Sequence, residues 1–344
     1  MLKTVLITGG AGYIGSHTIV ECIQVGYQVV VLDDLSNSSS EVLVRIKNIT
    51  GICPVFFEGS VCDAELLTKL FSTYSIDFVI HFAGVKAVGE SVENPLKYYS
   101  NNVLGSIVLC QVMARMSVFN LVFSSSATVY GQYCEMPLRE DSRGASPTNP
   151  YGRSKLMVEQ MLLDLAHSDP RWAIAVLRYF NPVGAHVSGL IGEHPKGAPN
   201  NLFPYISQVA VGIRSSVSVF GNDYPTPDGT GIRDYIHVVD LAKGHLAALS
   251  YLQKHSGCFL WNLGTGKGYS VLEVINAFST ISQVDIPFQY LARRSGDLAE
   301  CWSDPSKAKR DLDWVASLDL NAMVVDSWRW QTLNPHGYDE EEEK

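Results

Sequence analysis

Lys3 to His17 reads KTVLITGGAGYIGSH, and this stretch decides the fold. KTVLIT is a short β-branched apolar run with the character of a buried strand. Gly9, Gly12 and Gly15 follow at even spacing, and HTIVECIQVG (17–26) then takes up helical periodicity. A GxxGxxG match alone is weak, but here a strand precedes it and a helix follows, at the start of a βαβ unit. Glycines let the backbone approach a pyrophosphate, and a helix N-terminus favours its negative charge. The stretch therefore predicts a dinucleotide turn in a parallel α/β sheet.

The rest of the first half repeats the alternation. Strand-like runs recur at QVVVLDD (28–34), FVIHFAG (78–84), NLVFSSS (120–126) and IAVLRYF (174–180), with helical stretches such as LGSIVLCQVMARM (104–116) between them. Near-continuous apolar strands separated by helices predict a doubly wound parallel sheet covered on both faces, with ligand at the strands' carboxyl ends. From residue 181 the texture turns rich in Gly, Pro, Asn and His, and the remainder mixes helices with short strands. We read 1–180 as the dinucleotide-binding domain and 181–344 as a smaller C-terminal α/β substrate-binding lobe, with a segment such as 236–262 able to pack back on the first domain.

Bulk properties narrow the function. The chain has 344 residues, 46% hydrophobic and 18% charged, which fits a compact folded protein with a substantial core. A net charge of -9 disfavours nucleic-acid binding, because nothing offsets phosphate repulsion. The seven cysteines (22, 53, 62, 110, 134, 258 and 301) form no CxxC pair and no Cys/His cluster, so no metal is expected. They read as reduced thiols of a cytoplasmic protein. The start carries no secretory leader, no window approaches the ~20 apolar residues of a membrane span, and the closing DEEEEK reads as a solvated tail.

Two further features point to chemistry. The second strand ends in Asp33-Asp34, and an acid there accepts from an adenine-ribose diol and repels a 2′-phosphate, favouring NAD over NADP. NLVFSSS ends in Ser126, and NPYGRSK (149–155) follows, placing Tyr151 and Lys155 on one helix face. Pro at a helix start and a Tyr/Lys pair four apart are also ordinary helix features. Free tyrosine titrates near ~10, so its use as a base requires a nearby ammonium or the positive nicotinamide. Ser126 would hold the substrate oxygen.

The motifs GGAGYIGSH, HFAGVKAVGES, SSSATVYG, NPYGRSKLMVEQ, RYFNPVGAH, DGTGIRDYIHV and RRSGDLAECWSD together resemble the UDP-glucose 4-epimerase family, in the extended short-chain dehydrogenase/reductase (Rossmann) superfamily. The resemblance runs in order from residue 3 to about 330. It implies Tyr151 as acid/base, Lys155 as its partner and nicotinamide-ribose ligand, and Ser126 as the hydroxyl that positions the sugar. NAD contacts map to Gly9, Gly12, Tyr13, Ile14, Asp33, Asn37, Phe82, Ala83, Lys86, Asn101, Ser126, Tyr151, Lys155 and Tyr179. Ser60 and Val61 lie where the adenine is expected, Ser60 replacing the acid often found there. UDP-sugar contacts map to Lys86, Ser126, Tyr151, Asn181, Asn201, Leu202, Arg233, Tyr235, Arg294 and Asp297, with two arginines to flank a diphosphate.

The implied reaction is reversible, NAD-dependent C4 epimerisation of a UDP-hexose through a 4-keto intermediate. Cys301 occupies the family's gatekeeper position. Its small side chain implies that UDP-GlcNAc and UDP-GalNAc are accepted beside UDP-glucose and UDP-galactose; the plainer reading is a packing thiol. A nucleotide-sugar 4,6-dehydratase shares fold and cofactor, but Ala127-Thr128 stand where such enzymes carry Asp-Glu. A dehydrogenase releasing NADH would consume added NAD, and a non-catalytic NAD-binding module would tend to lose the Tyr/Lys pair. The resemblance also implies a homodimer, through helices around 95–116 and 151–168.

Overall fold

The computed structural model describes residues 2–132, 135–142, 147–197, 199, 201–294 and 296–339; Cys134 and all but Asp339 of the acidic tail lie outside them. Strands β1 (Thr4–Thr8), β2 (Gln28–Asp33), β3 (Val55–Glu58), β4 (Phe78–His81), β5 (Asn120–Ser126) and β6 (Ala173–Tyr179) form along the first half. With Gly257–Leu263 they make a seven-stranded sheet among the described residues, ordered Gly257–Leu263, β6, β5, β4, β1, β2, β3, every pairing parallel. The doubly wound fold expected from the sequence is the fold found.

The apolar runs are continuous because both faces of the sheet are covered. Val5 and Ile7 of β1 enter one core and Leu6 the other, and Val29 and Val31 of β2 likewise part from Val30 and Leu32. Val5, Leu6 and Ile7 are fully buried. Alternate residues of a strand point to opposite faces, so a strand covered on both needs apolar side chains at every position. β3 is absent from the sequence reading because its residues VFFE are only half-buried on the sheet edge.

The chain steps from β1 to β2 and β3 on one side, then crosses to β4 on the other. That reversal opens a crevice at the carboxyl ends of β1 and β4. The later residues build a second core around Phe203, Tyr235, Phe278 and Met323. There, strand Ile232–His237 pairs with Asn181–Val183, Gly268–Ser270 and Glu300–Cys301. The boundary is not a clean cut. Helix Val238–Leu252 places Leu241, Ala248 and Leu249 in the first core, and Gly257–Leu263 completes the main sheet beside β6.

Candidate functional site

The glycine turn lies at the crevice. Gly9 has φ +68, and a Cβ built on it would stand 2.6 Å from the Ala83 backbone nitrogen; one on Gly15 would stand 2.5 Å from the Gly9 carbonyl. Only glycine satisfies both demands. Gly12 begins helix Tyr13–Gln24 without a side-chain cap, so its first N–H groups are free for an anion. This cradle, which a Cβ would fill, fits a dinucleotide pyrophosphate. Asp33 is buried and accepts from the Ala11 N–H (2.9 Å), the Leu35 N–H (3.0 Å) and the Ser38 hydroxyl (2.8 Å). Burial lifts its carboxyl above the ordinary range, and these three bonds hold it back. The acid thus organises the turn itself, with acceptor capacity left over.

The other cofactor candidates gather around this crevice. Phe82 and Ala83 follow β4, with the Phe82 ring 4.8 Å from the buried His245 ring. The Tyr179 hydroxyl bonds His245 Nε2. Tyr13 is anchored by a 2.6 Å bond to the Gly184 carbonyl, while Asn37 is exposed. Ser60 accepts from the Cys62 N–H at 3.1 Å beside buried Val61. Asn101 lies in a π-helical turn, Tyr99–Leu104. Its neighbour Asn102, absent from the sequence reading, ties the Val85 backbone to Ser154. Only burial distinguishes the two asparagines, and burial is invisible locally.

The Ser-Tyr-Lys constellation sits beside the crevice. Asn149 caps helix Pro150–Ser168 by accepting from the Gly152 N–H at 2.8 Å, which sets the start of the turn carrying Tyr151. Ser126 ends β5, and its Oγ accepts from the Thr128 N–H (3.2 Å) and hydroxyl (3.0 Å). Both acceptor sites are thereby used, so its proton points outward, and the Ser126 hydroxyl acts to lower the Tyr151 phenol. Lys155 is buried and donates to the Ser124 carbonyl at 2.7 Å. A Cβ on Gly84 would stand 3.7 Å from its Nζ, placing that ammonium at the crevice loop.

Burial dominates the titration of the pair. Burial raises the Tyr151 phenol, and the Ser126 hydroxyl acts downwards. Burial brings Lys155 itself down to about 8, against an upward pull from Glu159. Desolvation outweighs the charge effect that spacing alone suggests. Glu159 was also not singled out from sequence. It holds Arg178 through bonds of 3.0 and 2.6 Å and accepts from Ser125, fixing helix Pro150–Ser168 to β5 and β6 in a buried ion pair.

Across the cleft lies a cavity of about 370 Å³ that Asn181, Asn201, Leu202, Arg233, Tyr235, Arg294 and Asp297 all line. Arg233 Nη2 is 3.5 Å from Asp297 Oδ1, and the Arg294 guanidinium stacks 3.9 Å above Phe220. Phe220, Tyr205, Tyr224 and Val271 add an apolar wall that the sequence reading did not assign. Lys86 is exposed, 3.5 Å from Glu193. Cys301 is not part of this lining. It pairs in register with Arg233 and packs on the cluster of Val129, Tyr130, Leu138 and Phe180, directly after the Ser126 turn.

Residues 5–264 match the NAD dependent epimerase/dehydratase family. The chain belongs to this family. Within the epimerase/dehydratase family the likeness extends over nearly the whole chain. A UDP-glucose 4-epimerase of Haemophilus influenzae is 57% identical over 334 residues, 97% of this chain and 99% of that protein. The crystal structure of UDP-glucose 4-epimerase from Bifidobacterium longum, in complex with NAD+ and UDP, superimposes with a TM-score of 0.94 at 52% identity, covering 97% of this chain and all of that one. The UDP-Glc/GlcNAc 4-epimerase of Campylobacter jejuni is 36% identical, with a TM-score of 0.83 over 96% of this chain and 99% of that one. The relationship expected from the motifs is the one found. Among the described residues no helix is long and apolar enough to cross a membrane.

Proposed function

We propose that this chain is an NAD-dependent UDP-glucose 4-epimerase that interconverts UDP-glucose and UDP-galactose. One observation carries the reading: Ser126, Tyr151 and Lys155 stand at the carboxyl end of β5, with the uncapped glycine cradle on one side and the arginine-lined cavity on the other. When bound, the nicotinamide supplies the acceptor and later the donor for the C4 hydride. Tyr151 takes the C4 hydroxyl proton and returns it, and Ser126 donates to the reacting oxygen as charge develops there. Lys155 holds positive charge near the ribose below about pH 8. Arg233 and Arg294 anchor the diphosphate, which leaves the 4-keto sugar free to turn and present its other face.

The cofactor roles of Gly9, Gly12, Tyr13, Ile14, Asp33, Asn37, Ser60, Val61, Phe82, Ala83, Lys86, Asn101 and Tyr179 belong to the same proposal. So do the nucleotide-sugar roles of Asn181, Asn201, Leu202, Tyr235 and Asp297. The division into a cofactor domain, 1–180, and a UDP-sugar lobe, 181–344, is proposed as a division of labour. Cys301 is proposed as the wall residue that admits an N-acetyl group, supported by its place between Arg233 and the Ser126 turn. The neighbour active on UDP-Glc and UDP-GlcNAc points the same way.

We also propose a cytoplasmic homodimer serving galactose metabolism. Exposed Val92, Leu96, Leu104 and Met157 on the helices around 88–115 and 150–168 support the dimer. The deciding experiment is to incubate the purified protein with each of the four UDP-sugars, without added cofactor, and identify products. Interconversion of UDP-glucose and UDP-galactose is expected; stoichiometric NADH release or 4-keto-6-deoxy product would refute it.

A further inference from the structure

Glu193 has no part in the chemistry above, yet it stands where the two binding regions meet. Its Oε1 accepts from the Asn201 side-chain amide at 2.6 Å and lies 3.5 Å from the Lys86 ammonium. Its Oε2 is buried and has no hydrogen-bond partner among the described residues, in a side chain only 9% exposed. Buried polar atoms are ordinarily paired, so this open carboxylate oxygen, in a firmly built loop, is an exception that sets Glu193 apart. The loop is firmly built. The Gly192 N–H donates to the Tyr338 hydroxyl at 3.1 Å, that hydroxyl lies 3.2 Å from the Gly192 carbonyl, and the Trp330 indole donates to the Glu193 carbonyl at 3.3 Å.

Asn201 shows what the contact does. It is the N-cap of helix Leu202–Ala210, but its side chain makes no capping bond. An asparagine there normally accepts from the second or third helical N–H. The third residue here is Pro204, which has none, and the amide is drawn to Glu193 instead. The helix therefore presents an N-terminus without a side-chain cap to the cavity that Asn201 and Leu202 line. Such an end attracts an anion.

We infer that Glu193 is a positioning residue that couples the cofactor side of the cleft to the nucleotide-sugar side. One carboxylate holds Lys86 from the loop after β4 and turns Asn201 away from its own helix, leaving that helix end to the diphosphate. The inference rests on the proposed function. It is tested by calorimetric UDP binding and steady-state kinetics on the NAD-loaded protein. Glu193→Ala should weaken UDP binding and raise KM about tenfold, with kcat within about threefold, the effect of losing a charged hydrogen bond used in binding alone. Glu193→Gln keeps an acceptor for Asn201 and should weaken UDP about threefold. Lys86→Met should weaken UDP in the wild-type background but add little in either Glu193 variant, as coupled neighbours do. If Glu193→Ala does not fold, the Gln variant and its cycle with Lys86→Met carry the test. UDP affinity within twofold of wild type in the Glu193 variants, or strictly additive effects with Lys86→Met, overturns the role while leaving the proposed function intact. Wild-type protein that binds no UDP overturns both.

Discussion

Acidification from pH 7 to pH 5 should strip stability from this fold through three histidines held neutral inside it. His17, His81 and His245 are 1%, 2% and 0% exposed. Burial pushes their pKa values down to about 3, about 3 and about 4, from the ordinary 6.5. His17 Nδ1 bonds the Tyr13 carbonyl at 2.7 Å, and its Nε2 is buried with no hydrogen-bond partner among the described residues. His81 is fixed between the Thr8 and Ser106 hydroxyls at 2.7 and 3.0 Å. His245 Nδ1 donates to the Leu241 carbonyl at 2.8 Å, so its Nε2 accepts from Tyr179. In the unfolded chain all three protonate as pH falls through 6.5, while in the fold they stay neutral until pH 3–4. The unfolded state therefore binds more protons across that window, and stability must fall as pH falls.

Each ring contributes about 1.4 kcal/mol per pH unit below 6.5, so about 2 kcal/mol by pH 5 and about 6 kcal/mol for the three. That is comparable with the whole stability of an ordinary domain, about 5–15 kcal/mol. The measurement is urea unfolding at pH 7, 6 and 5, followed by tryptophan fluorescence. His245→Gln keeps polar atoms at the site and should reduce the loss between pH 7 and 5 by about 2 kcal/mol, one ring's share. A wild-type loss below about 2 kcal/mol, or an unchanged pH slope in the variant, would refute the reasoning.

Tyr151→Phe should lower kcat by about 10²–10⁴, the usual worth of a positioned proton-transfer group, with UDP binding near wild type. Retained epimerisation would overturn the assignment. Cys301→Tyr should lower activity on UDP-GlcNAc relative to UDP-glucose by roughly 10–200-fold, the range a single pocket group delivers; equal activity on both pairs rejects the gatekeeper. Gly9→Ala puts a Cβ 2.6 Å from the Ala83 nitrogen at φ +68, so purified protein should carry far less NAD, measured after acid release.

How much was legible in the sequence depends on the range of the interaction. The glycine turn, its strand and helix, and the NPYGRSK helix start could be read directly, because turn conformation, helix capping and apolar periodicity are local. The seven cavity candidates, spread from Asn181 to Asp297, were named by resemblance, and the fold brings them to one wall. Asn102, Glu159, Phe220 and Glu193 carried no local signal. Each acquires its place from a partner between 17 and 107 residues away.

The sequence by itself determined the parallel sheet, the glycine turn and the spacing of the proposed reacting groups. Only the tertiary structure decided their protonation and their company. Tyr151 and Lys155 stand four apart in any helix, but burial shifts both and the Ser124 carbonyl takes the ammonium. Spacing is a property of the chain, whereas desolvation depends on everything packed around a group, and here desolvation is the larger force.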